Sequence, residues 1–465
     1  MDYLAAGLFI LVMLSALPII TAIRWEYGLA LTLSSLSLMN RLKTEYFLEL
    51  EYILITAESI CIFLLLTAFL LRFAVYPKLS KIVSPLIVPV VILVSSGVLS
   101  LLNSVDMRVS LRLLAAGVLQ PVMLFYIIVN TIEDIRQVRL LVAALIVSAV
   151  VATVYGLWQV FLTFTGSGSA FDYRIVSMFY SPAIFGEVLL LSFPLVLVMR
   201  ITYPRTRRAV SLLLDVVIAL MIIAMLMTIT RSVWLGLLVS IAVLLIRKKI
   251  RSYLFWRLSV VIFVLMILVI QFNIVSDFSG LLELFQRRPA SIADFTDNTT
   301  SIGERVFAWG TALEMMLENP IGIGLGMFSR NWSLFRPLSA DLEAAHNLFL
   351  DIGVQIGVVG LLAFVWILIN SIRICVRLAE SSQDSDISSM ALGILSGIAG
   401  YCAHAFAGGA ELAHNDLNVT STPLGSPIST GMLIFWTLIG LIFVLGKLER
   451  NSSGAFLSKN VVVFR

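Results

Sequence analysis

Apolar runs of about 20 residues recur from one end of the chain to the other, and no other feature narrows the fold as much. Coiled as a helix rising ~1.5 Å per residue, each run reaches across a ~30 Å hydrocarbon layer. A helix also satisfies its own backbone hydrogen bonds in lipid, whereas barrel strands would alternate apolar and polar residues over roughly ten positions. Of 465 residues 60% are hydrophobic and 13% charged, with a mean hydropathy of +1.01; soluble domains carry about a quarter charged residues. A water-soluble fold and an outer-membrane barrel are excluded. The chain reads as an all-α integral membrane protein.

Candidate spans fall at 4–22, 52–71, 84–103, 110–130, 140–163, 178–199, 209–229, 232–246, 253–273, 347–370, 386–408 and 426–446, twelve in all. The first lacks a basic leader and a small-residue cleavage site before Arg24, and reads as a retained helix. Segment 27–40 covers only about 21 Å as a helix and reads as interfacial or re-entrant. Lys and Arg of short loops collect on the cytoplasmic side. Loops 200–208 (Arg200, Arg205, Arg207, Arg208) and 247–251 (Arg247, Lys248, Lys249, Arg251) are therefore inside. Stepping from these anchors puts residues 41–51 outside. One span before them makes the N-terminus cytoplasmic and two would make it external; one is favoured. The expected organisation is a bundle over 1–273, a long external loop with amphipathic helices over 274–346, three helices over 347–446 and a cytoplasmic tail over 447–465.

The net charge of +4 and pI near 9.0 would suggest a nucleic-acid partner in a soluble protein. Here the basic residues sit in short inter-span loops and set orientation, so no nucleic acid is expected. Cys61 and Cys402 lie inside apolar runs and Cys375 just beyond one, which suggests neither a disulfide framework nor a thiolate metal site. Residues 319–328 (NPIGIGLGMF) look like a phosphate loop but lack Gly-Lys-Ser/Thr and a preceding strand. They exclude a nucleotide site and suit a tight turn instead. The preceding stretch, Ile302 to Glu318, reads as a helix whose bulky residues Val306, Trp309, Leu313, Met316 and Leu317 would lie on the membrane or the bundle.

Arginines facing outward oppose the positive-inside bias and ask for a reason. Arg231, in a hairpin with almost no loop, is either an interfacial anchor or an anion clamp. Arg305, in the first turn of its helix, opposes the helix dipole; it either pairs with Glu304 or Asp297 or serves a ligand. Arg287 and Arg288 read as a patch for anionic head groups. His346 and Asn347 stand where the outer loop re-enters the membrane, and His346 is either an interfacial hydrogen-bonder or a proton acceptor. Of the other histidines, His404 lies in an apolar run as a packing residue and His414 in the last outer loop. Glu58, Glu187 and Asp215 are ionisable groups in or near spans, too scattered in sequence to form a path.

Three ordered blocks give this chain a resemblance to a family. They are Thr230-Arg231-Ser232-Val233-Trp234-Leu235-Gly236; Gly303-Glu304-Arg305 through Trp309 to Pro320–Phe328; and His346-Asn347-Leu348-Phe349-Leu350 with Gly353 and Gly357. Arg174 to Pro194 adds a fourth, weaker echo. In this order and with this long outer loop the chain resembles the O-antigen ligase and polymerase superfamily, membrane glycosyltransferases of the GT-C type. The resemblance implies inverting, metal-independent glycosyl transfer at the outer face of the bacterial inner membrane, with no cofactor. The implied donor is a glycan on undecaprenyl diphosphate; the acceptor is a lipid A core or a growing glycan. Carried over by position, Arg231 and Arg305 hold the diphosphate, His346 is catalytic, and Asn347 and Arg174 support them. Ser232 departs from the glycine the family often has there. The resemblance leaves ligase and polymerase both open, and a transporter of small anions or sugars is the reading from another class.

Overall fold

The computed structural model describes residues 2–45, 48–50, 53–55, 57–75, 86–164, 174–179, 181–202, 208–246, 303–335, 344–408 and 430–452. The first half supplies α1 (Asp2–Ile23), α2 (Trp25–Glu45), α3 (Ala57–Val75), α4 (Ile87–Ser100), α5 (Met107–Leu114), α6 (Gln120–Thr131), α7 (Ile135–Phe164), α8 (Pro182–Thr202), α9 (Arg208–Met227) and α10 (Arg231–Leu244). The second supplies α11 (Gly303–Glu318), α12 (Phe328–Phe335), α13 (Leu348–Gln355), α14 (Val358–Ser381), α15 (Ser385–Phe406) and α16 (Thr430–Ser452). A small hairpin, Leu48–Leu50 against Ile53–Ile55, separates α2 from α3. Among the described residues 7 stretches are long and apolar enough to cross a membrane: α5 running into α6, then α7, α8, α9, α14, α15 and α16. The expected span 253–273, most of the loop 274–346 with Arg287, Arg288 and Asp297, and His414 lie outside the described residues.

Helices that are apolar all round occupy the centre. In α8 every residue from Phe185 to Val198 is buried, and α16 is buried from Thr430 to Ile442. Between α10 and α15 the packing is closer still. A methyl group on Gly236 would stand 2.6 Å from the Gly400 carbonyl oxygen, so the two backbones touch where both residues lack side chains. The hydroxyls of Ser240 and Ser396, 2.7 Å apart, join the same pair of helices further along. Small residues and interhelical hydroxyl bonds hold helices together where hydrophobic burial cannot distinguish protein from lipid.

The bundle has two chemically different ends. At one, Arg200 forks onto Asp215 with bonds of 2.9 and 3.3 Å, Arg139 pairs with Asp386, and Arg72 covers the Trp25 ring. Asp215 is thereby a structural partner of Arg200. At the other end, Asn40 donates to the Met178 carbonyl (2.9 Å) and accepts from Thr430 (3.2 Å). Trp25 and Asn40 thus lie at opposite ends, and α2 is a 21-residue helix of about 31 Å along the whole bundle. This corrects the reading of 27–40 as interfacial or re-entrant. Its serines do not mark a surface element: Ser37 donates its backbone N–H to Ser148 of α7 (3.0 Å) and shares a hydroxyl bond with it.

The expected span 347–370 is also corrected. It is broken into α13 and α14 at Gly357, whose φ of +98° suits glycine. A side chain there would strike the Ile321 carbonyl at 2.5 Å. Residues 320–326 fill this break: Ile323 N–H donates to Val354 (3.0 Å), Gly324 N–H to Gln355 (3.1 Å), and Val358 N–H to Pro320 (3.0 Å). Around them Ala308, Ala312, Met315, Met327, Trp332 and Val354 form a second, smaller core. Thus α11 turns its small residues inward, Trp309 meets the Phe406 ring, and Val306, Leu313 and Leu317 are exposed. The bulky stripe expected to pack is partly the outer face. Asp106, cap of α5, ties this unit down through Arg330 at 2.7 Å. Burial pushes the Asp106 carboxyl upward, but Arg330 and two backbone N–H groups outweigh it and hold it below its ordinary value.

Gly357→Ala is expected to cost about 1–3 kcal/mol through strain at positive φ and to lower the thermal midpoint of the purified protein. Gly310→Ala, on α11 with nothing within 4 Å, is expected to leave the stability unchanged or raise it by up to about 1 kcal/mol, with a thermal midpoint no lower than that of the unaltered protein.

Candidate functional site

The turn between α9 and α10 carries Arg231 as the first residue of α10. It is entered through Ile229 at φ +48°, a conformation costly for a β-branched residue. Arg174 holds that turn: Nε donates to the Thr228 carbonyl at 3.2 Å and Nη2 to the Thr230 hydroxyl at 3.1 Å. Ile175 N–H adds a bond to the Met227 carbonyl (3.2 Å). Two guanidinium groups therefore share one turn at the positive end of the α10 dipole, where only an anionic neighbour makes such charge favourable. Segment 174–179 is itself pinned. Ser177, at φ +57°, exchanges backbone bonds with Gln159 and donates its hydroxyl to Ala152 at 2.6 Å.

Arg305, His346 and Asn347 meet at the last turn of α15. The final carbonyls of a helix have no partner within it, and two are taken here by side chains from other segments. Arg305 Nη1 donates to Ala407 at 2.7 Å and Asn347 Nδ2 to Phe406 at 3.2 Å. Gly408, at φ +92°, lies between them: a methyl group on it would be 2.7 Å from the His346 carbonyl oxygen and 3.0 Å from Arg305 Cζ. Asn347 also caps α13, its Oδ1 accepting from Phe349 (3.0 Å) and Leu350 (3.3 Å). His346, half-buried at φ +51°, is fixed on both sides, since Asp351 accepts the neighbouring Ala345 N–H at 3.1 Å.

The packing of α10 on α15 brings the two groups to the same level. Gly236 abuts Gly400, and the helices run in opposite directions. Arg231 lies five residues, ~7.5 Å, toward the same end and level with Ala405, one turn or less from the carbonyls that receive Arg305 and Asn347. Arg174, Arg231, Arg305, His346 and Asn347 thus gather around the end of α15. Among the described residues the non-glycine positions with positive φ are Ser177, Ile229 and His346, and all three lie in these segments. Strain of this kind persists where the surroundings over-determine it, as they do at sites.

Beneath the cluster lies a pair whose members stand far apart in the sequence. Glu187 and His404 are both buried, with Oε1 and Nε2 3.9 Å apart. Glu187 also rests against Gly431 at the start of α16, and its neighbour Gly186 against Val233, two residues beyond Arg231. Only the packing of α8 on α15 reveals the pairing. Glu58 is buried in the first turn of α3, a helix that packs on α1, α2 and α6.

Comparison with known proteins adds one match: residues 216–365 fit the family profile described as O-antigen ligase. The matched stretch holds Arg231, Arg305, His346 and Asn347, while Arg174 and Glu187 precede it. No curated protein matches the chain. Arg174→Ala removes two charge-assisted bonds from a half-buried turn and is expected to cost about 1–3 kcal/mol, measured as a lowered thermal midpoint. Arg174→Lys, which cannot fork, is expected to recover less than half of that loss.

Proposed function

We propose, for a chain whose residues 216–365 match the family model described as O-antigen ligase, that it is a membrane glycosyltransferase. It moves a glycan from undecaprenyl diphosphate to an acceptor hydroxyl, a lipid A core being favoured, with inversion and without a metal. The observation that carries this reading is the gathering of Arg231, Arg305 and His346 about the last turn of α15.

Breaking the anomeric C–O bond leaves negative charge on the departing diphosphate. Guanidinium groups held in place before the reaction bind such an oxyanion bidentately and stabilise it as it forms. Arg231 and Arg305 supply them, with Arg174 bracing the first. Opposite the leaving group, neutral His346 takes the proton of the attacking hydroxyl. Attack from the far side of the sugar inverts the anomeric centre. The cluster lies at an end of the bundle, which suits a lipid head group at a membrane surface; a small-anion transporter would place such charges near the midplane on broken helices.

The basic end, with Arg72, Arg139, Arg200, Arg373 and Arg450, belongs on the cytoplasmic side of the inner membrane. The site then faces outward with loop 274–346, and the C-terminal tail lies inside. On this reading α2, which runs the length of the bundle, is one crossing more than the twelve expected, and the N-terminus is proposed to lie outside rather than in the cytoplasm.

The test is transfer by the purified protein, with EDTA present, from a matched undecaprenyl-diphosphate glycan to two acceptors. Product on lipid A core is expected; product on a second lipid-linked glycan instead would assign polymerisation. Arg231→Ala and Arg305→Ala are each expected to lower kcat by about 10²–10³. Full activity in both folded variants would overturn the assignment.

A further inference from the structure

At the basic end, remote from the cluster around α15, helices α14 and α16 leave between them a cavity of about 260 Å³ lined by Asn370, Arg373, Ile374, Arg377 and Arg450. A neighbouring hollow of about 370 Å³ shares Arg373 and Arg377 and adds Ile372, Val376 and the carboxylate of Glu380. Among the described residues Arg373, Arg377 and Arg450 form no ion pair. Of the nearby acids, Glu449 accepts from Ser382 at 2.7 Å and Asp386 pairs with Arg139, while Glu380 stands in the neighbouring hollow.

The surface of α14 leads into this cavity. Val359, Leu362, Trp366, Ile369, Arg373 and Val376 follow one another at alternating spacings of three and four residues, which places them on one face. All are exposed. The face is apolar as far as Ile369 and turns basic at Arg373, one helical turn later. Such a change marks the passage from acyl chains to head groups. Orientation alone asks only for basic residues in loops. Here two arginines stand on the helix itself, on or beside its lipid-facing stripe, and a third reaches the same cavity from α16.

We propose that this cavity binds an anionic phospholipid of the adjoining leaflet. Its phosphate is held by Arg373, Arg377 and Arg450, and its acyl chains lie along Ile369, Trp366 and Leu362. Three guanidinium groups match a phosphate in charge and in forked geometry. Basic pockets between helices on the cytoplasmic side are suited to such head groups. The lipid joins α14 to α16 at the end opposite the transfer site, and its binding is independent of glycan transfer.

The test is native mass spectrometry of the full chain in detergent, after delipidation, with added phosphatidylglycerol, phosphatidylcholine or free glycerol 3-phosphate. Phosphatidylglycerol adducts are expected to persist and to raise the thermal midpoint. Phosphatidylcholine is expected to do neither, and glycerol 3-phosphate not to displace the bound lipid. The combined variant Arg373→Gln, Arg377→Gln, Arg450→Gln, with its lipid-free midpoint unchanged, is expected to weaken retention at least about tenfold. Glu380→Gln is expected to keep or strengthen it. Equal retention of the two lipids, or full retention by the triple variant, would overturn the proposal. Displacement by glycerol 3-phosphate would also overturn it, by assigning the cavity to a soluble phosphate.

Discussion

The free carbonyls at the end of α15 are the constraint on which the site depends. A helix that ends beside lipid cannot leave its last acceptors bare, because neither the helix nor hydrocarbon can satisfy them. Two of them are met by Arg305 from α11 and Asn347 from the start of α13. The Arg305 cation also suits the negative end of the helix dipole. Satisfying these carbonyls therefore brings a guanidinium group and the residue beside His346 to one place. Gly408 keeps that place open, since a side chain on it would contact the His346 carbonyl and the Arg305 guanidinium group.

A second constraint carries Arg231 to the same place. The contact of Gly236 with Gly400 sets how far α10 slides along α15, and so sets the height of the α9–α10 turn. Arg174, bonded to Thr228 and Thr230, then fixes the shape of that turn. Left-handed backbone at Ile229 and His346 is tolerated because each is anchored on neighbouring residues. The buried Glu187 and His404 lie under this arrangement, placing a carboxylate and an imidazole near a collection of guanidinium groups.

Some of this was legible before any coordinates. Helix α11, expected over Ile302 to Glu318, runs Gly303–Glu318, because amphipathic periodicity and the Asn319-Pro320 break are local signals. Residues 320–326 make a tight turn that admits another backbone, which glycine spacing alone suggests. Other features depend on partners. The polar residues of α2 look unsuited to a span until Ser148 and Met178 accept from them and Thr430 donates to Asn40. The break at Gly357 is hidden because apolar residues continue on both sides. The inward face of α11 carries Ala308, Thr311, Ala312 and Met315, and its small residues give less periodic signal than the bulky residues turned outward. The scattered charges at positions 231, 305 and 346 could be grouped by resemblance, but their meeting at α15 belongs to packing.

The central claim is that Arg231 and Arg305 act on one diphosphate. Binding of undecaprenyl diphosphate to the purified protein, to Arg231→Ala, to Arg305→Ala and to the double variant measures it directly. Shared binding predicts that the two losses are coupled by at least about 0.5–3 kcal/mol, the double variant losing clearly less or more than the sum. Losses that add within about 0.3–0.5 kcal/mol, or no loss in either single variant, would contradict it.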